Sequence, residues 1–218
     1  MKPTVKNKKV LILGLPKSGT STMATMLRML GYRVTGPNPY IQDFESLKET
    51  FDAYEAFQDY PWCFEYPTLL KNIDTKVIVL KRDKESWVKS FKESYGGEDK
   101  NYLSYKFMKL SKNESDSVFY DYHINYYEEA LIFLIGNKLN YIEISLSNLS
   151  WKSVCEFLNT PIPKNMFGMV SKIPRVNSKN YRKTGSFFFI FKKHLKKQLH
   201  TILGKKYFKL TSFIYRNR

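Results

Sequence analysis

The chain has 218 residues with 43% hydrophobic and 16% aromatic content, which fits one α/β domain with an appendage and excludes a disordered or collagen-like chain. Its net charge is +16, yet Lys164–Arg218 carries 15 Lys and Arg and no Asp or Glu, so the body is nearly neutral and the last quarter strongly basic. Cys63 and Cys155 are too few and too far apart for a disulfide framework or a zinc site.

In chain order, the apolar run Val10-Leu11-Ile12-Leu13 predicts a buried strand of a parallel sheet. Gly14 to Gly19 is a loop. Ser21 to Leu30 follows with Met23, Met26, Leu27 and Leu30 at helical spacing, and Gly31 ends that helix. Phe44 to Tyr54 is helical in pattern, and Asp59-Tyr60-Pro61-Trp62 reads as a turn. Lys76 to Leu80 predicts a second buried strand, followed by a helix over Lys84 to Ser94 that Gly96-Gly97 breaks. A long helix over Tyr120 to Ile135 leads into a third strand, Tyr141 to Ile144. Trp151 to Leu158 is a short helix, stopped by Pro161 and Pro163. Strands alternating with helices imply a parallel sheet covered on both faces, with ligands at the C-terminal ends of its strands. Residues 1–180 are expected to form this domain and residues 181–218 a separate basic segment.

Both informative motifs fall at strand ends. Gly14-Leu15-Pro16-Lys17-Ser18-Gly19-Thr20-Ser21 joins a strand to a helix, where backbone amides make an anion site. Gly14, Gly19 and Ser21 have the spacing of the triphosphate loop, but Thr20 occupies its lysine position and the lysine sits earlier, at Lys17. A triphosphate enzyme needs that lysine beside a magnesium ligand, so the displacement argues against one. After the second strand comes Arg82, able to offer a bidentate fork to a phosphate, with Ser90 eight residues on.

At these residues the chain resembles the sulfotransferase family, whose 5′-phosphosulfate loop reads P-[KR]-[ST]-G-T-[ST]; Pro16 to Ser21 matches it throughout. The resemblance implies a P-loop-like sulfotransferase fold, a three-layer parallel sheet flanked by helices. It implies 3′-phosphoadenosine 5′-phosphosulfate (PAPS) as donor and 3′-phosphoadenosine 5′-phosphate (PAP) as product, with no metal required. Lys17 would hold the phosphosulfate and stabilise the leaving bridging oxygen. Pro16, Ser18, Gly19, Thr20, Ser21 and Thr22 would complete the 5′-phosphate cradle, and Arg82 and Ser90 would bind the 3′-phosphate. Trp87 matches an aromatic residue often found between those two, whereas Lys84 stands where the family commonly has proline.

Asp59-Tyr60-Pro61 resembles a D-x-P element of one branch of small sulfotransferases. Ser150 to Leu158, followed by Pro161-Ile162-Pro163, resembles that branch's G-W-x-x-L-C-x-F-L-G-x-P-x-P, with Ser150 and Asn159 in place of its glycines. Ile173 to Asn177 resembles its F-P-x-x-N, and Arg182-Lys183-Thr184-Gly185, with its glycine one residue late, resembles the R-K-G loop that closes over the 3′-phosphate in some cytosolic members.

The acceptor needs a base. Asp59 is favoured through the D-x-P match, with Glu65 and His123 as alternatives; His123 reads better as a packed structural histidine. The acceptor, a small molecule, lipid or glycan, has no recognisable signature. In the basic segment Phe191, Leu195, Leu199, Ile202 and Leu203 share one helical face, with Lys192, Lys193, Lys196 and Lys197 off it. Such a face suits peripheral association with an anionic membrane surface, or packing on the domain. Nucleic acid is not an expected partner. Met1 to Lys9 is polar and lacks an apolar leader, so the expected compartment is the cytoplasm. The competing reading of the whole is a P-loop nucleotide kinase.

Overall fold

The computed structural model describes residues 9–38, 44–70, 74–95, 108–111 and 113–174. Five strands form one parallel sheet: β1 (Lys9–Leu13), β2 (Val34–Thr35), β3 (Ala56–Gln58), β4 (Thr75–Lys81) and β5 (Tyr141–Ser145), in the order β2-β3-β1-β4-β5. The connecting helices are α1 (Thr20–Met29), α2 (Phe44–Ala53), α3 (Tyr66–Leu69), α4 (Lys84–Tyr95), α5 (Asp116–Gly136) and α6 (Trp151–Leu158).

Alternation along the central strands divides the core into two layers. Leu11 and Leu13 of β1 with Val77 and Val79 of β4 pack against Phe51, Trp87, Phe119, Tyr127 and Leu134. Val10 and Ile12 with Ile78 and Leu80 pack on the other face against Met23, Leu27, Trp151 and Val154. Helices α2, α4 and α5 therefore cover one face, and α1 and α6 the other. Both central strands are apolar on both faces, which is why they read as continuous runs.

Strand β1 passes its chain toward β2, whereas β4 passes its chain toward β5 on the opposite side. The connections diverge between β1 and β4, and that divergence opens a crevice beyond the strand ends. The loop after β1 and the residues after β4 both border it.

Several boundaries differ from the sequence reading. Strands β2 and β3 were not expected, since two and three residues show no run. Each exists through pairing: Val34 and Thr35 sit in register with Ala56 and Phe57, which in turn pair with Val10 and Leu11. Helix α5 starts at Asp116, four residues before the predicted start at Tyr120, with Ser115 as its N-cap. Helix α6 ends because Asn159 adopts left-handed geometry (φ 56°, ψ 47°), upstream of the two prolines credited with stopping it.

Candidate active site

The loop after β1 takes its shape from close approaches. A Cβ on Gly14 would lie 2.9 Å from the Leu80 carbonyl oxygen, so β1 leaves the sheet where only glycine passes β4. Ser18 N–H then donates to the Leu15 carbonyl at 3.0 Å and closes a turn. Lys17, at the crown, holds a φ of 79°, a region that costs a non-glycine residue about 1 kcal/mol or more. Gly19 follows at φ 93° against Leu146, whose Cδ1 would lie 2.5 Å from an added Cβ. Gly19 caps α1 without a side chain, and the first-turn amides at Thr20, Ser21 and Thr22 sit at the positive end of the helix.

Three side chains from the β4 half of the sheet hold this loop. Trp87 Nε1–H donates to the Pro16 carbonyl at 2.8 Å, and the Arg82 guanidinium donates to the Lys17 carbonyl at 3.0 Å. Tyr127 of α5 donates to the Leu80 carbonyl at 2.8 Å, accepts the Leu15 amide at 3.4 Å and meets the Ser18 hydroxyl at 3.2 Å. Burial holds the Tyr127 phenol well above its ordinary pKa, so it stays protonated and can donate. His123 Nε2 lies 2.9 Å from the Arg82 carbonyl, which can only accept, so this nitrogen carries the proton. Burial lowers the His123 pKa, opposed by that bond, and the ring packs between Trp87 and Tyr127.

On the other side of β1, Asp59 stands immediately after β3. It is 8% exposed and left-handed at φ 66°. Its Oδ1 accepts the Tyr60 amide at 3.0 Å, and its Oδ2 lies 3.5 Å from the Thr20 hydroxyl, at the long limit of a hydrogen bond. Burial raises its pKa from 3.8 to about 6, while the Tyr60 amide, the Thr20 hydroxyl and the Lys17 charge all pull it back. The only basic side chain in that balance is Lys17, which puts the loop lysine and the buried carboxylate in one electrostatic environment.

A sulfotransferase-domain family model matches residues 9–131, more than half of the chain, and takes in β1, its loop, Asp59, Arg82 and Tyr127. The chain belongs to the sulfotransferase family. No curated protein matches it.

The sulfotransferase therefore brings Pro16, Lys17, Ser18, Gly19, Thr20, Ser21, Thr22, Asp59 and Arg82 to one end of its sheet, at β1, β3 and β4. Ser90 is half-buried on α4, three residues past Trp87 and so on the same helical face. Glu65 instead opens α3, its carbonyl accepting the amides of Thr68 and Leu69. Arg182 and Lys183, the Arg175-Val176-Asn177 segment and the basic amphipathic segment lie outside the described residues. Membership of this family, rather than a kinase family, agrees with the use of Asp83: its Oδ1 accepts the Ser86 amide at 3.0 Å and caps α4. No described helix is long and apolar enough to cross a membrane.

Sequence reasoning missed Tyr127 altogether and gave Trp87 no role. Trp87 was signalled by its place between Arg82 and Ser90. Tyr127 had no signal, because its role depends on a helix 47 residues after Leu80 crossing back over the strand end.

Proposed function

We propose that this sulfotransferase takes its sulfuryl group from PAPS, passes it to a hydroxyl or amine of a small-molecule or glycan acceptor, and releases PAP. The observation that carries this reading is the tie between the two motifs. Arg82, just after β4, and Trp87, on α4, hydrogen-bond to Lys17 and Pro16 of the loop. A 5′-phosphate cradle and a 3′-phosphate fork would then share one crevice. The fit is supported by Gly19, whose missing Cβ keeps the loop against Leu146, and by the start of α1, which no side chain caps. Arg82 spends one bond on the loop, and its fork has five N–H donors in all.

The donor supplies an activated sulfuryl group, and the chain supplies position and charge. Ser18, Gly19, Thr20, Ser21 and Thr22 hold the 5′-phosphate, and Pro16 sets the loop against Trp87. Lys17 neutralises the bridging oxygen as the sulfur–oxygen bond to the phosphate breaks. Arg82 and Ser90 hold the 3′-phosphate, and Arg182 and Lys183 complete that pocket. Asp59 takes the acceptor proton as the new bond to sulfur forms; a pKa of about 6 leaves it largely ionised at neutral pH yet basic enough to accept. His123 positions Arg82 rather than acting as the base. The reading requires no metal. Residues 1–180 form the catalytic domain and 181–218 a basic segment that associates with anionic membrane surfaces. Two free, buried cysteines suit a reducing cytoplasm.

Calorimetric titration tests the donor. PAP is expected to bind in the presence of EDTA, at least about tenfold tighter than magnesium–ATP, a gap of about 1.4 kcal/mol. Preference for magnesium–ATP would overturn the reading.

A further inference from the structure

The chain leaves α6 along a tight hairpin, 161–173, that lies beyond the residues matched by the family model. Its base is well anchored. Trp151 Nε1–H donates to the Ser171 carbonyl at 2.6 Å, Ser171 N–H donates to the Pro163 carbonyl at 2.9 Å, and Ile173 packs on the core. Its tip is also well built. Lys164 and Val170 form an antiparallel bridge, and Asn165 N–H donates to the Met169 carbonyl at 2.8 Å. Asn165 Oδ1 accepts the amides of Phe167 and Met169 at 2.9 and 3.1 Å, and Gly168 turns the chain at φ 78°.

This ordered tip nevertheless presents apolar side chains outward: Met166 is 89% exposed, Phe167 77%, Met169 60% and Val170 55%. Four large apolar residues exposed together on a short hairpin form a patch that marks an interaction site. The surrounding charge identifies the partner. Lys164 and Lys172 are exposed on either side of the tip, and no Asp or Glu occurs from Phe157 to Arg218, a stretch with 15 Lys and Arg.

We propose that the Met166–Val170 hairpin is an insertion loop that docks the enzyme on an anionic phospholipid surface. The lysines meet the headgroups while Met166, Phe167, Met169 and Val170 enter the boundary with the acyl chains. Two features favour lipid. Asn165 already satisfies two tip amides, which water would otherwise solvate and an apolar layer would leave at a cost. A second copy docked through the same hairpin, or the chain's own C-terminal segment, would bring positive charge against positive charge. Ser171 is tied to Trp151, the first residue of α6, and Leu146, a few residues earlier, packs on Gly19 of the donor loop. Ser171 of the hairpin base is thus tied to the start of α6, the end of that helix nearest the donor loop.

The test is co-sedimentation of the full chain with phosphatidylcholine vesicles, with and without phosphatidylserine. Wild type is expected to sediment with the phosphatidylserine vesicles, and Met166→Asp/Phe167→Asp to lose at least about tenfold in partitioning. A Phe167→Cys variant carrying a polarity-sensitive dye should report an apolar environment on those vesicles, since the native cysteines are buried. Retained PAP binding checks that each variant is folded. Failure of wild type to sediment, undiminished binding by the double variant, or a dye spectrum unchanged on bound vesicles would each overturn the proposal; the last two would leave the basic segment as the sole anchor. A wild-type dimer that the double variant converts to monomer, without vesicle binding, would overturn it in favour of a second copy.

Discussion

Replacing Asp59 with Asn should raise stability and abolish most activity. The carboxyl is 8% exposed, and burial raises its pKa from 3.8 to about 6. Between those values the folded chain binds more protons than the unfolded chain, so stability falls as pH rises through the window. Carried to pH 7, the cost of ionising Asp59 in place is about 3 kcal/mol relative to an unshifted carboxyl. Asparagine removes that cost while keeping an oxygen for the Tyr60 amide, at 3.0 Å in the native structure. Urea unfolding of both proteins at pH 4 and pH 7 isolates the term, because other titrating groups cancel in the difference. Asp59→Asn should gain up to about 3 kcal/mol over wild type at pH 7 and little at pH 4. The same variant should lose about 10²–10⁴-fold in turnover. In wild type kcat/KM should fall on the acid side with a midpoint near 6. A variant no more stable than wild type at pH 7, or one with turnover within a few-fold of wild type, would refute the reasoning.

Two other substitutions probe the loop. Gly19→Ala places a methyl 2.5 Å from Leu146 Cδ1 at a φ of 93°, so thermal unfolding should show a loss of about 1–3 kcal/mol and PAP affinity should fall with it. Tyr127→Phe removes the hydroxyl that bonds the Leu80 carbonyl and meets Leu15 and Ser18. It should cost about 1–3 kcal/mol in urea unfolding and weaken PAP binding, although Tyr127 is not expected to touch the ligand.

Much of this architecture was legible because β1 and β4 are buried on both faces, and their apolar runs leave few alternatives. The loop motif was legible for a local reason: Gly14, Lys17 and Gly19 act through backbone geometry that a six-residue window encodes. Strands β2 and β3 were hidden because their existence depends on distant partners, about twenty residues away for Val34 and Ala56 and about forty-five for Val10 and Ala56, and with them the position of Asp59 at a strand end. Asn159 illustrates a different gap. Its left-handed cap is visible only once the chain is folded, although asparagine's tolerance for that region and its place in the family glycine's position were both available. Tyr127 and His123 lie on α5 among apolar and aromatic neighbours, where core and functional roles share one periodicity. Their hydrogen bonds separate them from core: Tyr127 to the Leu80 carbonyl and with Leu15 and Ser18 of the loop, His123 to the Arg82 carbonyl.

The most direct test of the central claim, that the β1 loop and the end of β4 form one donor site, is the ratio of affinities for PAP and adenosine 5′-phosphate, which lacks the 3′-phosphate. Arg82 also supports the loop through the Lys17 carbonyl, but that contribution affects both ligands and cancels in the ratio. Wild type should prefer PAP by about 10–100-fold, from charge-assisted bonds to the 3′-phosphate. Lys17→Ala should keep that preference while weakening both ligands, and Arg82→Ala should cut it by about tenfold, leaving what Ser90, Arg182 and Lys183 supply. A full 3′-phosphate preference in Arg82→Ala would contradict the account.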